Sequence, residues 1–159
     1  MKFRSTIVLA VMVALVAVLA VGVVGCGGPM TEDEYKEEAG QAVKDLVAAM
    51  EEFNTMEEPE TIEDARTVLG EQVDKISDVK KTIDGFDPPD KYKDTNDTLK
   101  SAAEGIESFF TEAKKAFDES ESMEEASTAF EGLESMFEDF MKAAADLQTV
   151  ADELGVTIE

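Results

Sequence analysis

The chain has 159 residues, 37 acidic against 14 basic, a formal net charge of −23 at pH 7 and no histidine. Phosphate binding requires clustered Lys and Arg, so this charge balance excludes nucleic acid as a partner. The absence of histidine excludes histidine-containing zinc and di-iron sites and nucleophiles activated by a histidine. We therefore predict a protein that is not an enzyme and that holds no metal or other cofactor.

The N-terminus has the order of an export signal. Lys2 and Arg4 come first, and residues 7–24 then contain no charged residue, like the basic and apolar regions of a signal peptide. This run ends at Val23-Val24-Gly25-Cys26, which contains the single cysteine of the chain and resembles the lipobox of bacterial lipoprotein precursors. The resemblance implies cleavage after Gly25 and attachment of a lipid to the thiol of Cys26.

An uncleaved transmembrane helix is the alternative for this segment, because its apolar run approaches the roughly 20 residues that span a bilayer. The small residue Gly25 and the helix-breaking residues 27–29 favour the cleaved signal. Both interpretations place the remaining chain outside the cytoplasm, and the lipoprotein resemblance implies a lipid anchor on the extracytoplasmic face of a bacterial cell membrane. The predicted segments are a signal peptide (1–25), the lipidated cysteine with a short tether (26–30) and a folded domain (31–159).

After the tether, apolar residues recur at the spacings of three and four that predict amphipathic helices. The first predicted helix begins at Thr31, which forms a capping box with Glu34. Its apolar stripe consists of Tyr35, Ala39, Ala42, Val43, Leu46, Met50 and Phe53. The second begins at Thr61 and ends at Gly85. Its stripe consists of Ile62, Ala65, Leu69, Val73, Ile76, Val79 and Ile83.

The third predicted helix follows Pro88 and Pro89, because proline suits the first turn of a helix. Its stripe consists of Tyr92, Leu99, Ala102, Ile106, Phe109, Phe110, Ala113 and Phe117. Residues 87–92 and the helix that they open resemble small helical lipoproteins of Gram-positive and actinobacterial surfaces, whose roles are unassigned. The fourth helix begins at Ser122 and continues unbroken to Gly155. Its stripe consists of Ala126, Phe130, Leu133, Phe137, Phe140, Ala144, Leu147, Ala151 and Leu154.

We therefore predict an all-α protein, an antiparallel up-down-up-down four-helix bundle, because short connections make neighbouring helices antiparallel. An extended coiled-coil hairpin is the alternative, against which the wide apolar stripes argue. In the bundle, the first and third connections lie at one end, and the second lies with both termini at the other. Six lysines near the second connection would then face the membrane: Lys75, Lys80, Lys81, Lys91, Lys93 and Lys100.

The first and third connections are acidic, and residues 51–64 and 118–125 contain no Lys or Arg. We name their predicted cluster the distal acidic pole, since it would lie at the end farthest from Cys26. Its residues are Glu57, Glu58, Glu60, Glu63, Asp64, Asp118, Glu119 and Glu121. A solvated surface without a partner is the alternative interpretation of this charge. A calcium site is disfavoured, because no D-x-D-x-D-G loop supplies converging oxygens.

These features lead to two functional hypotheses. The first is a lipid-anchored interaction or envelope-structural protein, held to the membrane through the lipid on Cys26, whose distal acidic pole contacts a cationic protein or peptide. The second is a solute-binding lipoprotein that holds a small apolar or cationic ligand inside the bundle. Five phenylalanines would line that pocket: Phe109, Phe110, Phe130, Phe137 and Phe140.

Overall fold

A computed structural model describes residues 29–55 and 59–158, which are helical and contain no strand. The elements are α1 (Glu32–Thr55), α2 (Ile62–Asp84), a 3₁₀ turn (Asp90–Tyr92), α3 (Lys93–Glu119), α4 (Met123–Glu131) and α5 (Glu134–Leu154). The all-α prediction is confirmed for this part of the chain. The predicted signal peptide, Gly25, Cys26, Glu57 and Glu58 lie outside the described residues.

Three helix starts lie where the capping pattern predicts them. The Thr31 hydroxyl accepts a hydrogen bond from the Glu34 amide (3.3 Å), and the Thr31 amide donates to the Glu34 carboxylate (2.8 Å). The hydroxyls of Thr61 and Ser122 likewise accept from the amides three residues further on, at 3.1 and 3.3 Å. The start of α3 differs from the prediction. Pro88 and Pro89 precede the 3₁₀ turn rather than lying in the first α-helical turn.

The prediction of a single fourth helix is wrong, because the chain breaks at Gly132 and Leu133 into α4 and α5. The amides of these two residues donate to the carbonyls of Ala129 and Phe130, three residues back, at 3.1 and 2.9 Å. Bonds of this kind wind the turn more tightly than an α-helix. Glycine has a low helix propensity, so interrupting the helix at Gly132 costs less free energy than interrupting it at a strong helix former.

Helix α3 packs against both α2 and α5. Helix α1 also packs against α2 and α5 and so completes the core. The predicted stripes largely form this core. Its fully buried large side chains include Tyr35, Leu46, Ile76, Ile83, Leu99, Ile106, Phe110 and Leu147. The prediction that Phe137 lies in the buried stripe is wrong, because its side chain is half-exposed.

One end of the molecule gathers the segment around Met30, the connection between α2 and α3, and the end of α5. The Met30 amide donates to the Asp87 carbonyl at 2.9 Å, and the Thr95 hydroxyl donates to the Glu153 carboxylate at 2.7 Å. We call this the Met30 end. Tyr35 is fully buried here with its ring stacked on that of Tyr92, 5.3 Å between centroids, and burial raises the pKa of its hydroxyl.

The residues after α5 pack back onto α1. Gly155 has a φ of 71°, a left-handed conformation that ends the helix and that side chains other than glycine adopt at a cost. Val156 then lies over Gly40, where an ideal Cβ would come within 2.7 Å of the Val156 Cγ2 atom. A side chain at position 40 would therefore force Val156 to shift. The contact fixes the C-terminal segment beside the first helix.

Candidate functional site

The other end of the molecule is organised by Arg66, near the start of α2. Its Nε donates to the Phe117 carbonyl at 3.0 Å, its Nη2 donates to the Ser120 carbonyl at 2.7 Å, and its Nη1 pairs with the Glu63 carboxylate at 2.6 Å. These carbonyls lie at the C-terminus of α3, where the helix dipole attracts a cation. Arg66 therefore joins the start of α2 to the end of α3. We call this the Arg66 end.

The Arg66 end brings together the described residues of the distal acidic pole from both connections. They are Glu60, Glu63 and Asp64 beside the start of α2, and Asp118, Glu119 and Glu121 beside the end of α3. Glu57 and Glu58 belong to the part of the chain that is not described. The two acidic segments are 52 to 54 residues apart in sequence where Arg66 contacts them, so the pole is a product of tertiary structure.

The carboxylates of this pole differ in their partners. Glu63 pairs with Arg66 and Asp118 with Lys114, and Asp64 accepts a hydrogen bond from the Thr61 hydroxyl at 2.7 Å. Three exposed carboxylates make no ion pair within the described ranges. These are Glu60, Glu119 and Glu121. Their charge is therefore not compensated by a basic side chain of the described structure.

Sequence reasoning missed Arg66, because it lies two residues beyond the acidic segment that the pattern defines. One signal indicates its role. A cation near the N-terminus of a helix opposes the dipole of that helix, so Arg66 needs acceptors from another element. The side chain is 27% exposed and forms its bonds through the planar guanidinium, a geometry that lysine does not reproduce.

The lysines predicted to face the membrane are mostly paired with acids. Five of the six form ion pairs at 2.6 to 3.2 Å, namely Lys75–Glu52, Lys80–Asp84, Lys81–Asp78, Lys91–Glu32 and Lys93–Asp90. Lys75 lowers the pKa of Glu52, and Lys93 lowers the pKa of Asp90, by direct hydrogen bonds. Their positive charge is largely compensated by these neighbours.

The five phenylalanines proposed to line a ligand pocket pack against one another. Phe109 is 3% exposed, and its ring centroid lies 4.7 Å from Phe140, 5.6 Å from Phe110 and 5.9 Å from Phe130. The Phe137 ring completes the cluster at 6.0 Å. The break between α4 and α5 places side chains of both helices around Phe109. These distances are typical of packed aromatic pairs.

A groove of about 400 Å³ lies between α3 and α5, where an ideal Cβ on Gly105 would come within 3.1 Å of the Ala143 Cβ. None of the five phenylalanines lines it. The lining residues are Ser101, Glu104, Gly105, Ser108, Met136, Asp139, Lys142, Ala143 and Asp146. No group of three or more acidic residues in the described structure is arranged to hold a metal ion.

No protein-family model, curated protein or solved structure matches this chain. Among residues 29–55 and 59–158, no helix combines the length and apolarity needed to cross a membrane.

Proposed function

We propose that the protein is a lipid-anchored, extracytoplasmic interaction protein whose Arg66 end binds a cationic protein or peptide. The observation that carries this proposal is the meeting of two separate acidic segments around Arg66. Exposed carboxylates of one sign attract an oppositely charged partner during diffusional encounter and discriminate against anionic ones. Glu60, Glu119 and Glu121 are the residues whose charge is available for this role.

The proposal includes an antiparallel up-down-up-down bundle in which α4 and α5 together take the place of the fourth helix. Three contacts support it. Tyr35 near the start of α1 donates to Asn96 near the start of α3 at 3.4 Å. Arg66 near the start of α2 contacts the end of α3, and Thr95 near the start of α3 contacts Glu153 near the end of α5. In an up-down-up-down bundle the starts of α1 and α3 lie at one end, and each helix start lies beside the end of its antiparallel neighbour, as in these three contacts.

This topology supports an orientation relative to the membrane. Met30 follows the proposed lipid site at Cys26 by four residues, which reach roughly 13 Å when extended. Met30 bonds to the α2–α3 connection, whereas the Arg66 end lies at the far end of α3, a helix of 27 residues and therefore about 40 Å long. The Arg66 end would project away from the lipid headgroups, toward partners outside the cell membrane.

The charge mechanism is tested with the full chain in neutral phosphatidylcholine vesicles and a flexible lysine–glycine peptide, with empty vesicles as the blank. We expect affinity to fall steeply as NaCl rises. The triple variant Glu60→Gln, Glu119→Gln, Glu121→Gln should bind at least about fivefold more weakly. A matched triple elsewhere, Glu37→Gln, Glu71→Gln, Asp74→Asn, removes the same charge and should have a much smaller effect. Equal losses in both triples would contradict binding at the Arg66 end.

The anchor is tested separately by mass spectrometry of the protein isolated from a bacterial membrane. We expect a mature N-terminus at Cys26 that carries an acyl group, and we expect Cys26→Ala to prevent this processing. A mature chain that retains residues 1–25, or that has an unmodified thiol, would contradict the anchor. Binding of the lysine–glycine peptide does not depend on this result.

The packing of the phenylalanines supports the interaction protein over the solute-binding alternative. A ligand pocket lined by Phe109 and Phe110 requires these rings to separate, yet each contacts the other and both contact Phe140. Separating buried aromatic rings without a ligand loses both burial and ring-to-ring contact.

A further inference from the structure

Helix α5 has an apolar surface that the bundle does not cover. The side chains of Phe137 and Met141 are 50% and 53% exposed, and positions four residues apart lie on the same face of a helix. Phe140, half-buried, adjoins them, with its ring centroid 6.0 Å from that of Phe137. We call these three residues the α5 apolar face. Met123, at the start of α4, is the remaining exposed large hydrophobic residue of the described structure.

The sequence around this face is acidic throughout. Residues 116–141 contain nine carboxylates and no Lys or Arg. The carboxylates are Asp118, Glu119, Glu121, Glu124, Glu125, Glu131, Glu134, Glu138 and Asp139. Glu134 and Glu138 flank Phe137 on α5, are exposed, and form no ion pair with any described residue. An apolar surface therefore lies within a strongly negative one.

The exposed apolar side chains and the negative charge around them together indicate which kind of partner fits the α5 apolar face. A second copy of the chain would place acidic rims of the same sign against each other, and an anionic lipid surface would meet the same repulsion. A helix with an apolar stripe and a Lys- or Arg-rich opposite face complements both the apolar side chains and the surrounding carboxylates. Methionine and phenylalanine also suit such a partner, since the flexible methionine thioether adapts to different apolar side chains.

We propose that the α5 apolar face binds a cationic amphipathic helix, whose apolar stripe contacts Phe137 and Met141 and whose basic residues pair with Glu134 and Glu138. This inference rests on the proposed function, since both take a cationic partner, and it adds the conformation and the apolar half of that partner. The Arg66 end includes the Ser120 carbonyl, three residues before the start of α4, and Phe130 of α4 packs on the same Phe109 ring as Phe137 of the α5 apolar face. The charge of the Arg66 end therefore attracts the partner from beside the docking surface.

The test uses two 18-residue Leu/Lys peptides of identical composition, one with its leucines on a single helical face and one scrambled so that they are not. Binding to the full chain in neutral phosphatidylcholine vesicles is measured at moderate salt against empty vesicles. We expect the amphipathic peptide to bind at least about tenfold more tightly than the scrambled one, since the scrambled peptide keeps the charge and loses the apolar contact.

Variants separate the apolar contact from the charge. Met141→Gln should weaken binding of the amphipathic peptide about fivefold, leave the scrambled peptide unaffected, and retain the unfolding temperature, while Met141→Leu should bind normally. Glu134→Gln with Glu138→Gln should weaken binding of both peptides more than the matched control Glu37→Gln with Glu71→Gln does.

Each other outcome overturns the inference in a distinct way. Equal affinity for both peptides would overturn the inference and leave the proposed function intact, because charge alone would then account for binding. No binding of either peptide, or of the lysine–glycine peptide, at low salt would overturn both. An oligomer that Met141→Gln dissociates, without preference between the peptides, would assign the face to a second copy of the chain.

Discussion

Gln72 on α2 is one of the polar side chains buried within the described structure, together with Thr95, Asn96 and Ser120. It is 1% exposed, and its Oε1 atom has no hydrogen-bond partner in the described structure. An unsatisfied buried acceptor costs about 1–3 kcal/mol, and a methionine has a similar shape without that acceptor. Methionine also loses the hydrogen bond between the Gln72 side chain and Glu52, and the exposed Glu52 carboxylate can replace that bond with water. We expect Gln72→Met to raise the free energy of unfolding by about 1 kcal/mol, measured by urea denaturation of the full chain in a neutral detergent.

Gln148 provides the control for this substitution. It is an exposed glutamine on α5 whose amide donates to Asp152 at 3.1 Å, so Gln148→Met should change stability by no more than about 0.5 kcal/mol. If Gln72→Met instead destabilised the protein by more than that, the Oε1 atom would have to be satisfied in solution, for example by a buried water.

Glu34 links stability to pH through the cap of α1. Hydrogen bonds from the backbone and hydroxyl of Thr31 lower the pKa of Glu34 below the ordinary value of about 4.3. A lowered folded-state pKa adds stability that is complete above the unfolded-state pKa and is lost as the pH falls through the folded-state value.

We therefore expect the stability difference between the natural chain and Glu34→Gln to be constant at neutral pH and to shrink as the pH falls below about 4. Glutamine resembles the protonated acid, so the two proteins should converge. Thermal unfolding at a series of pH values measures this difference. A difference that persists unchanged to low pH would show that the charge of Glu34 does not contribute to the cap.

At the scale of helices, Arg66 joins the start of α2 to the end of α3 through hydrogen bonds. Arg66→Met removes bonds to the Phe117 and Ser120 carbonyls and to Glu63 while keeping the apolar stem. We expect a loss of about 2 kcal/mol, because hydrogen bonds from a charged donor contribute more than neutral ones. The measurement is urea denaturation of the full chain in a neutral detergent.

The matched control for Arg66 is Lys115→Met. Lys115 is an exposed residue of α3 that pairs only with Glu112 on its own helix, at 3.3 Å, and such pairs contribute little. If both substitutions had equally small effects, the tie between α2 and α3 would be unimportant for stability, and the acidic segments would be held together by the core instead.

Local patterns were sufficient to predict the starts of α1, α2 and α4, because Thr31, Thr61 and Ser122 act on amides three residues away. The apolar stripes predicted most of the core, because residues three and four apart lie on one face of a helix. The break at Gly132 was not predictable in this way, since the apolar spacing continues through it. The position of Arg66 near a helix N-terminus indicates that it needs acceptors from another element, but no local pattern identifies the Phe117 and Ser120 carbonyls as those acceptors.

At the scale of the whole molecule, opposite charges pair locally while the excess negative charge remains. Six of the nine ion pairs of the described structure join residues three or four apart on one helix or turn. A seventh, Lys93–Asp90, has the same spacing across the 3₁₀ turn. Exposed pairs of this kind contribute at most about 1 kcal/mol each. The chain has a net charge of −23, so its excess carboxylates repel one another in the compact state.

Because self-repulsion exceeds these weak attractions, we expect the unfolding temperature to rise as NaCl increases from about 0.01 M to about 0.15 M, over which the screening length falls from about 30 to about 8 Å. Replacing Glu37, Glu71 and Glu119 by glutamine should raise the unfolding temperature at low salt and flatten its dependence on salt. Circular dichroism of the full chain in a neutral detergent measures both effects. An unfolding temperature that fell with added salt would mean that attraction within the ion pairs outweighs the repulsion of the excess carboxylates.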